Sequence, residues 1–257
     1  MSRKNILITN DDGVNGEGLL ALEKSLSAVA NVFVLAPDSN RSAVSSHLNM
    51  NAALKFVECG KNRLSCSGSP VDCVLAALKS ELFERGLKFD AVFSGINKGA
   101  NLGTDVVYSG TCAAARQAVL YKLPGIAVSL ECFDDSWKFS ALAEFCAKNL
   151  EKLISLSTSE LFVSVNAYSS DKYNEVVYSA LSVRDYRDSV DILEAPDGNR
   201  YGFFKGGNIQ SSESPRKLKN EASDYAVVND GKISISRIFA EPYYEHCPAD
   251  LELSFSF

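Results

Sequence analysis

The chain has no long hydrophobic run, and nowhere do apolar residues approach the roughly 20 in succession that a membrane-spanning helix needs. A membrane is therefore not an expected partner. Positive charge is not in excess either: 26 Lys and Arg against 32 Asp and Glu leave a net charge of −6 on 257 residues. That balance offers no broad positive field for a polymeric phosphate backbone and argues against nucleic acid as the main partner. A small phosphorylated ligand stays open, because a metal ion or a helix N-terminus supplies positive potential locally. The seven cysteines include no C-x-x-C pair and no paired zinc spacing, which excludes a zinc ribbon and points to reduced thiols. Met1-Ser-Arg-Lys is followed at once by the short run Ile6-Leu7-Ile8, too brief for a secretory leader, so the expected compartment is the cytoplasm. Only two histidines occur, His47 and His246, with no partners that spell a zincin or a catalytic triad. Neither G-x-G-x-x-G nor a Walker loop is present, which counts against dinucleotide binding and NTP-driven motors.

What is present is an alternation of two periods. Asn5-Ile-Leu-Ile-Thr9 reads as a buried strand that ends in the turn Asn10-Asp-Asp-Gly13. Glu17 to Ala30 carries apolar residues at helical spacing, and Val32 to Ala36 is a second strand closed by Pro37. The Ser- and Asn-rich stretch to Asn51 reads as a loop or lid. Ser69-Pro-Val-Asp72 supplies an N-cap, a proline at N1 and an acid at N3, announcing a helix whose apolar face runs through Leu82. Phe89 to Phe93 is a strand running into a glycine-bearing loop, Ser109-Gly-Thr111 caps a helix from Cys112 to Tyr121, and Gly125 to Ser129 is again a strand. One amphipathic helix over Ala141 to Leu156 and a strand over Leu161 to Val165 follow. The pattern predicts an α/β fold, a Rossmann-like doubly wound, mostly parallel sheet with helices on both faces. Residues 1–166 form this core; residues 167–257 change to period-two runs with glycine punctuation, expected to be antiparallel hairpins, and the end, Gly231 to Ile238 and Leu251 to Phe257, reads as strand and as an oligomerisation arm that pairs with a neighbour.

The chemistry concentrates at strand ends. Asp11 and Asp12 follow the first strand, where a doubly wound sheet opens its ligand crevice. Two adjacent carboxylates repel unless a cation is shared, so the pair calls for one divalent metal ion, Mg²⁺ or Mn²⁺. Asn97 and Ser42, each after another strand, offer neutral oxygens to the same crevice. Ser109, Gly110 and Thr111 open a helix whose exposed N–H groups suit a phosphate. His47, near Ser42, is placed to protonate a leaving group, although a surface histidine explains it as well.

Taken in order, Asn10-Asp-Asp-Gly13, Ala36-Pro-Asp-Ser-Asn-Arg-Ser42, Gly68-Ser-Pro-Val-Asp-Cys73, Ser94-Gly-Ile-Asn97, Asn101-Leu-Gly103 and Tyr108-Ser-Gly-Thr111 resemble the signatures of the stationary-phase survival protein SurE family. Ser223-Asp-Tyr225 through Ile238 resembles the family's C-terminal element more loosely. The resemblance implies a metal-dependent 5′-nucleotidase, sometimes also 3′, with a swapped C-terminal arm and a homodimeric or homotetrameric assembly. It puts Asp11, Asp12, Ser42 and Asn97 on the metal ligands, Asp11 and Asp12 at the catalytic centre, and Asn40, Gly110 and Thr111 near the phosphate positions. Val14-Asn-Gly-Glu-Gly18 departs from the family's usual segment ending in Pro-Gly. The expected reaction is hydrolysis of nucleoside monophosphates with water as nucleophile; a carboxylate nucleophile at Asp11 stays open. Two rival readings use the same residues: a phosphatase of sugar phosphates or polyphosphate, and a non-catalytic phosphoacceptor-like module.

Overall fold

The computed structural model describes residues 3–207, 209–214, 216 and 218–242. The expected arm over Leu251 to Phe257, with His246 and Cys247, lies outside them. In chain order the strands and helices begin β1 (Asn5–Thr9), α1 (Glu17–Ser27), β2 (Asn31–Pro37), β3 (Phe56–Gly60), β4 (Arg63–Cys66), α2 (Pro70–Lys79) and β5 (Ala91–Lys98). A 3-10 turn over Gly103–Val107 leads to α3 (Gly110–Leu120), then β6 (Gly125–Glu131), α4 (Phe139–Lys148), α5 (Leu150–Leu156) and β7 (Leu161–Tyr168). The rest is β8 (Val176–Ala180), β9 (Val183–Asp185), β10 (Ser189–Glu194), β11 (Arg200–Lys205), β12 (Gln210–Ser212), β13 (Ala222–Ser223), α6 (Asp224–Asn229) and β14 (Ile233–Phe239).

Ten strands form one sheet in the order β13-β8-β14-β7-β6-β5-β1-β2-β4-β3. The run from β7 to β4 is parallel throughout, and β3 and β14 run antiparallel to their neighbours β4 and β7. Successive side chains of a strand face opposite sides, so both faces of a central strand must be covered. Ile6 and Ile8 pack on the side of α1 and α4, with Leu22 and Leu142. Leu7 packs on the side of α2 and α3, with Val74 and Ala118. Because β1 sends its chain one way to β2 while β5 pairs on its other side, the strand order reverses between β1 and β5. That reversal opens a crevice at the carboxyl ends of the two strands.

Several boundaries differ from the sequence expectation for local reasons. The single helix expected over Ala141 to Leu156 is two, broken at Asn149, whose side chain donates to the Phe145 carbonyl (2.9 Å) and competes with the helical ladder. α2 stops at Lys79 instead of continuing to Leu82, because the Ser80 hydroxyl bonds back to the Ala76 carbonyl (2.7 Å). The strand expected to end at Phe93 continues to Lys98, with a register shift against β6 between Ser94 and Asn97. Gly95 makes this possible: it sits at φ +134° and a Cβ there would lie 2.1 Å from the Val128 carbonyl. β8 runs parallel to β14 and is not an antiparallel hairpin, whereas β10 and β11 do form one. Strands β8, β13 and β14, all beyond residue 166, belong to the main sheet. No helix among the described residues is long and apolar enough to cross a membrane.

Candidate active site

Four segments meet at the crevice, joined largely through backbone N–H groups. The turn after β1 is closed by Asn10, whose side chain donates to the Gly13 carbonyl (2.9 Å) and accepts from its N–H (3.2 Å). The Arg41 N–H donates to the Asp11 carbonyl (2.7 Å), which brings the loop carrying Asn40 and Ser42 to the end of β1. The Lys98 N–H donates to the Asp12 carboxylate (3.0 Å), which sets the end of β5, with Asn97, beside the acidic pair. From α3, both the Thr111 N–H (3.1 Å) and its hydroxyl (2.6 Å) donate to the Asp11 carboxylate. A Cβ on Gly110 would lie 2.9 Å from that carboxylate, so glycine lets the helix approach this closely.

Asp11 is 4% exposed. Burial raises its pKa from 3.8 to about 6; the Thr111 hydroxyl opposes the rise and the neighbouring Asp12 adds to it. Asp12 is also pushed up by burial, against the Lys98 N–H and the Lys98 ammonium. Two partly desolvated carboxylates side by side are a site short of positive charge. Among the described residues no group of three or more His, Cys, Asp or Glu converges to hold a metal, so any cation here must draw on neutral oxygens as well. The donors present fit that demand. Asn97 commits Nδ2 to the Gly99 carbonyl (2.7 Å), which leaves Oδ1 as its ligand atom. Ser42 commits its hydroxyl proton to Asn40 Oδ1 (2.7 Å), leaving oxygen lone pairs. Two carboxylates, an amide oxygen and a hydroxyl oxygen are hard donors of the kind Mg²⁺ and Mn²⁺ take.

The phosphate candidates are placed unequally. Asn40 accepts from the Ser42 N–H (2.8 Å) and hydroxyl through Oδ1, so its amide Nδ2 is what it offers an anion. Ser109 Oγ accepts from the Cys112 N–H (3.0 Å) as the N-cap of α3 and retains a hydroxyl proton. Thr111 directs both donors at Asp11, while the Gly110 N–H belongs to the first turn of α3, where no intrahelical acceptor exists. Ser109→Ala should lower stability by about 1 kcal/mol through loss of the cap; a thermal melt unchanged from wild type would contradict the capping role. His47 is exposed and lines a cleft of about 280 Å³ with Arg41, Val44, Asn49 and residues 67–69. Its loop is clamped to the start of α2: the Ser69 hydroxyl donates to the His47 carbonyl (2.6 Å), and Asp72 accepts from the Asn49 N–H (2.9 Å) and amide (2.6 Å).

The roles of three contributors are not legible in the sequence. Arg41 and Lys98 act through backbone N–H groups, which every residue type carries, so no signal marks them. Asp224 is buried and accepts from the N–H groups of Gly103 (2.7 Å) and Ser182 (2.8 Å), tying the loop after Asn97 to the C-terminal half. The sequence shows it only as part of Ser223-Asp-Tyr225, in the element that loosely resembles the family's, and nothing there marks its partners.

A doubly wound sheet with paired carboxylates, neutral oxygens and a capped helix N-terminus at its switch point is the architecture of an α/β enzyme acting on phosphoric monoesters. The comparisons with known proteins make this specific. The family model described as Survival protein SurE matches residues 6–188, and the chain belongs to that family. It is 44% identical over 186 residues to a protein of Treponema pallidum (strain Nichols) named 5′-nucleotidase SurE, covering 70% of this chain and 98% of the relative. A protein of the same name from Geotalea uraniireducens (strain Rf4) is 36% identical over 235 residues, covering 90% and 91%. Among solved structures, the SurE protein from Aquifex aeolicus superposes with a TM-score of 0.75 at 27% identity, over 92% of this chain and 94% of that one.

Proposed function

We propose that this chain hydrolyses nucleoside 5′-monophosphates to nucleoside and inorganic phosphate, with one divalent cation, Mg²⁺ or Mn²⁺, held by Asp11, Asp12, Ser42 and Asn97. The observation that carries the reading is the convergence on Asp11 and Asp12 of the N-terminus of α3, through Thr111, and of the end of β5, through Lys98. The relatives named 5′-nucleotidase support the substrate class. When bound, the cation supplies Lewis acidity to the phosphoryl oxygens and neutralises charge developing there. The chain's own residues do the rest. Asp11 and Asp12 form the catalytic centre, and Thr111 fixes the rotamer of Asp11 with two donors. The Gly110 N–H, the Ser109 hydroxyl and the Asn40 amide hold the non-bridging oxygens, where preorganised donors are worth most.

Assembly and compartment belong to the same reading. The β10–β11 hairpin is exposed on both faces, with Ile192, Leu193, Phe203 and Phe204 between 54% and 85% exposed. A lone two-stranded ribbon is marginal in water, so this hairpin, within the 167–257 part expected to mediate assembly, is read as pairing copies into a homodimer or homotetramer. The free cysteines at 59, 66, 73, 112, 132 and 146 suit a reducing cytoplasm.

The test is phosphate release from nucleoside 5′- and 3′-monophosphates, sugar phosphates and polyphosphate, with Mg²⁺, Mn²⁺ or EDTA. Release from 5′-nucleotides that EDTA abolishes is the expected result. Preference for polyphosphate or sugar phosphates would move the substrate, and no turnover with any metal would overturn the enzyme reading.

A further inference from the structure

The site as described handles phosphate and leaves the nucleobase without a partner. Next to the helix end of the site, two apolar side chains, Val107 and Tyr108, are 58% and 54% exposed. Their position is fixed from both sides. Tyr108 immediately precedes the Ser109 cap of α3, whose first turn contacts Asp11. Its carbonyl accepts from the Ser45 N–H (3.0 Å) and that of Val107 from the Ser45 hydroxyl (2.7 Å), so the loop that carries Ser42 is bonded to the backbone beneath the two side chains. Tyr108 thus stands between the metal-ligand loop and the phosphate-binding helix end.

The ring is also braced from behind. Tyr186 meets it edge-on, with centroids 5.8 Å apart and planes at 86°. The Tyr186 hydroxyl donates to Asp105 (2.5 Å), and Arg184 pairs with the same carboxylate (3.2 Å) with both side chains largely buried. Arg184 in turn donates to Ser211 (2.6 Å). Tyr186 is thus fixed by a buried ion pair, and an aromatic packed edge-on against such a fixed ring has fewer orientations to lose on binding, which suits a stacking platform.

Resting on the nucleotidase reading, we infer that Tyr108 is the specificity-determining platform on which the base of a nucleoside monophosphate stacks. Stacking on a π-face recognises every base and reads no edge, because each base has such a face. The platform therefore separates nucleotides from base-free phosphate esters and discriminates weakly among the bases, with purines above pyrimidines by their larger stacking area.

The test compares kcat/KM for adenosine 5′-monophosphate with that for ribose 5-phosphate, in the full chain with Mn²⁺. In wild type the nucleotide is preferred. Tyr108→Ala should lower that preference by about tenfold or more, chiefly through KM, while Tyr108→Phe and Tyr108→Trp keep it. Tyr108→Trp adds a readout independent of turnover: in a Trp137→Phe background its fluorescence should be quenched by adenosine 5′-monophosphate and not by ribose 5-phosphate. A preference unchanged in Tyr108→Ala, or equal quenching by both esters, overturns the platform and leaves the nucleotidase reading standing. A change in oligomer mass with no change in preference would assign Tyr108 to a contact between copies and overturn it equally. Wild type that releases phosphate from sugar phosphates and from no nucleotide overturns the nucleotidase reading and the platform together.

Discussion

Asp11→Asn is expected to lower phosphate release on the order of 10³-fold and to leave the metal-free protein no less stable than wild type. The two halves of this expectation share one cause. Burial raises the Asp11 pKa from 3.8 to about 6, so the folded state holds this proton more tightly than the unfolded chain does. Between about pH 4 and pH 6 the folded protein therefore carries more protons, and its stability falls as the pH rises through that window. Above pH 6 the full penalty applies, about 3 kcal/mol for the difference between 3.8 and about 6. Below pH 4 it is absent. Asparagine has no charge to bury and retains an oxygen for one Thr111 donor, so the variant should lose the fall between pH 4 and pH 6. Melting curves of metal-free wild type and Asp11→Asn at pH 4, 6 and 8 check this. A variant markedly less stable at pH 8 would show that Asp11 is there for the fold and not for a cation.

Gly18→Ala should lower stability by about 3 kcal/mol. A Cβ at Gly18 would sit 2.0 Å from the Ile96 carbonyl oxygen, 2.9 Å from the Ile96 carbonyl carbon and 3.1 Å from the Phe139 ring. Backbone cannot swing aside as a flexible side chain can, so α1 must lift from β5. In a chain of this size that corresponds to a fall in Tm of roughly 5 to 10 °C. Because Asn97 follows Ile96, activity should fall as well. Leu20→Ala on the same helix, where the leucine is 44% exposed, is the control and should change stability by no more than about 0.5 kcal/mol. A Gly18→Ala protein that melts with wild type would mean that α1 does not approach β5 as described.

These two glycine and carboxylate positions also show what was legible in the sequence. The end of β1, the capping box at Ser69 and Asp72, and the Ser109 cap could be read because each is set by residues within one turn of one another. The acidic pair drew attention for the same reason. What joins it to Thr111 spans 100 positions and to Lys98 86 positions, and no local period encodes such pairings. β3 and β4 were unread because the first is mostly exposed and the second is four residues long, too short to show a period. The extension of β5 through Gly95 was hidden because glycine ordinarily signals a turn; here it marks close approach to Val128. The role of Asp224 depends on Gly103, 121 positions away, which only the folded chain brings near.

The most direct measurement of the account is Mn²⁺ binding to metal-stripped protein by isothermal titration, wild type beside Asp11→Asn. One Mn²⁺ per chain in wild type and loss of that site in the variant is the predicted result. Equal binding in both, with phosphate release from nucleotides also equal, would contradict the assignment of the metal and the reaction to this crevice.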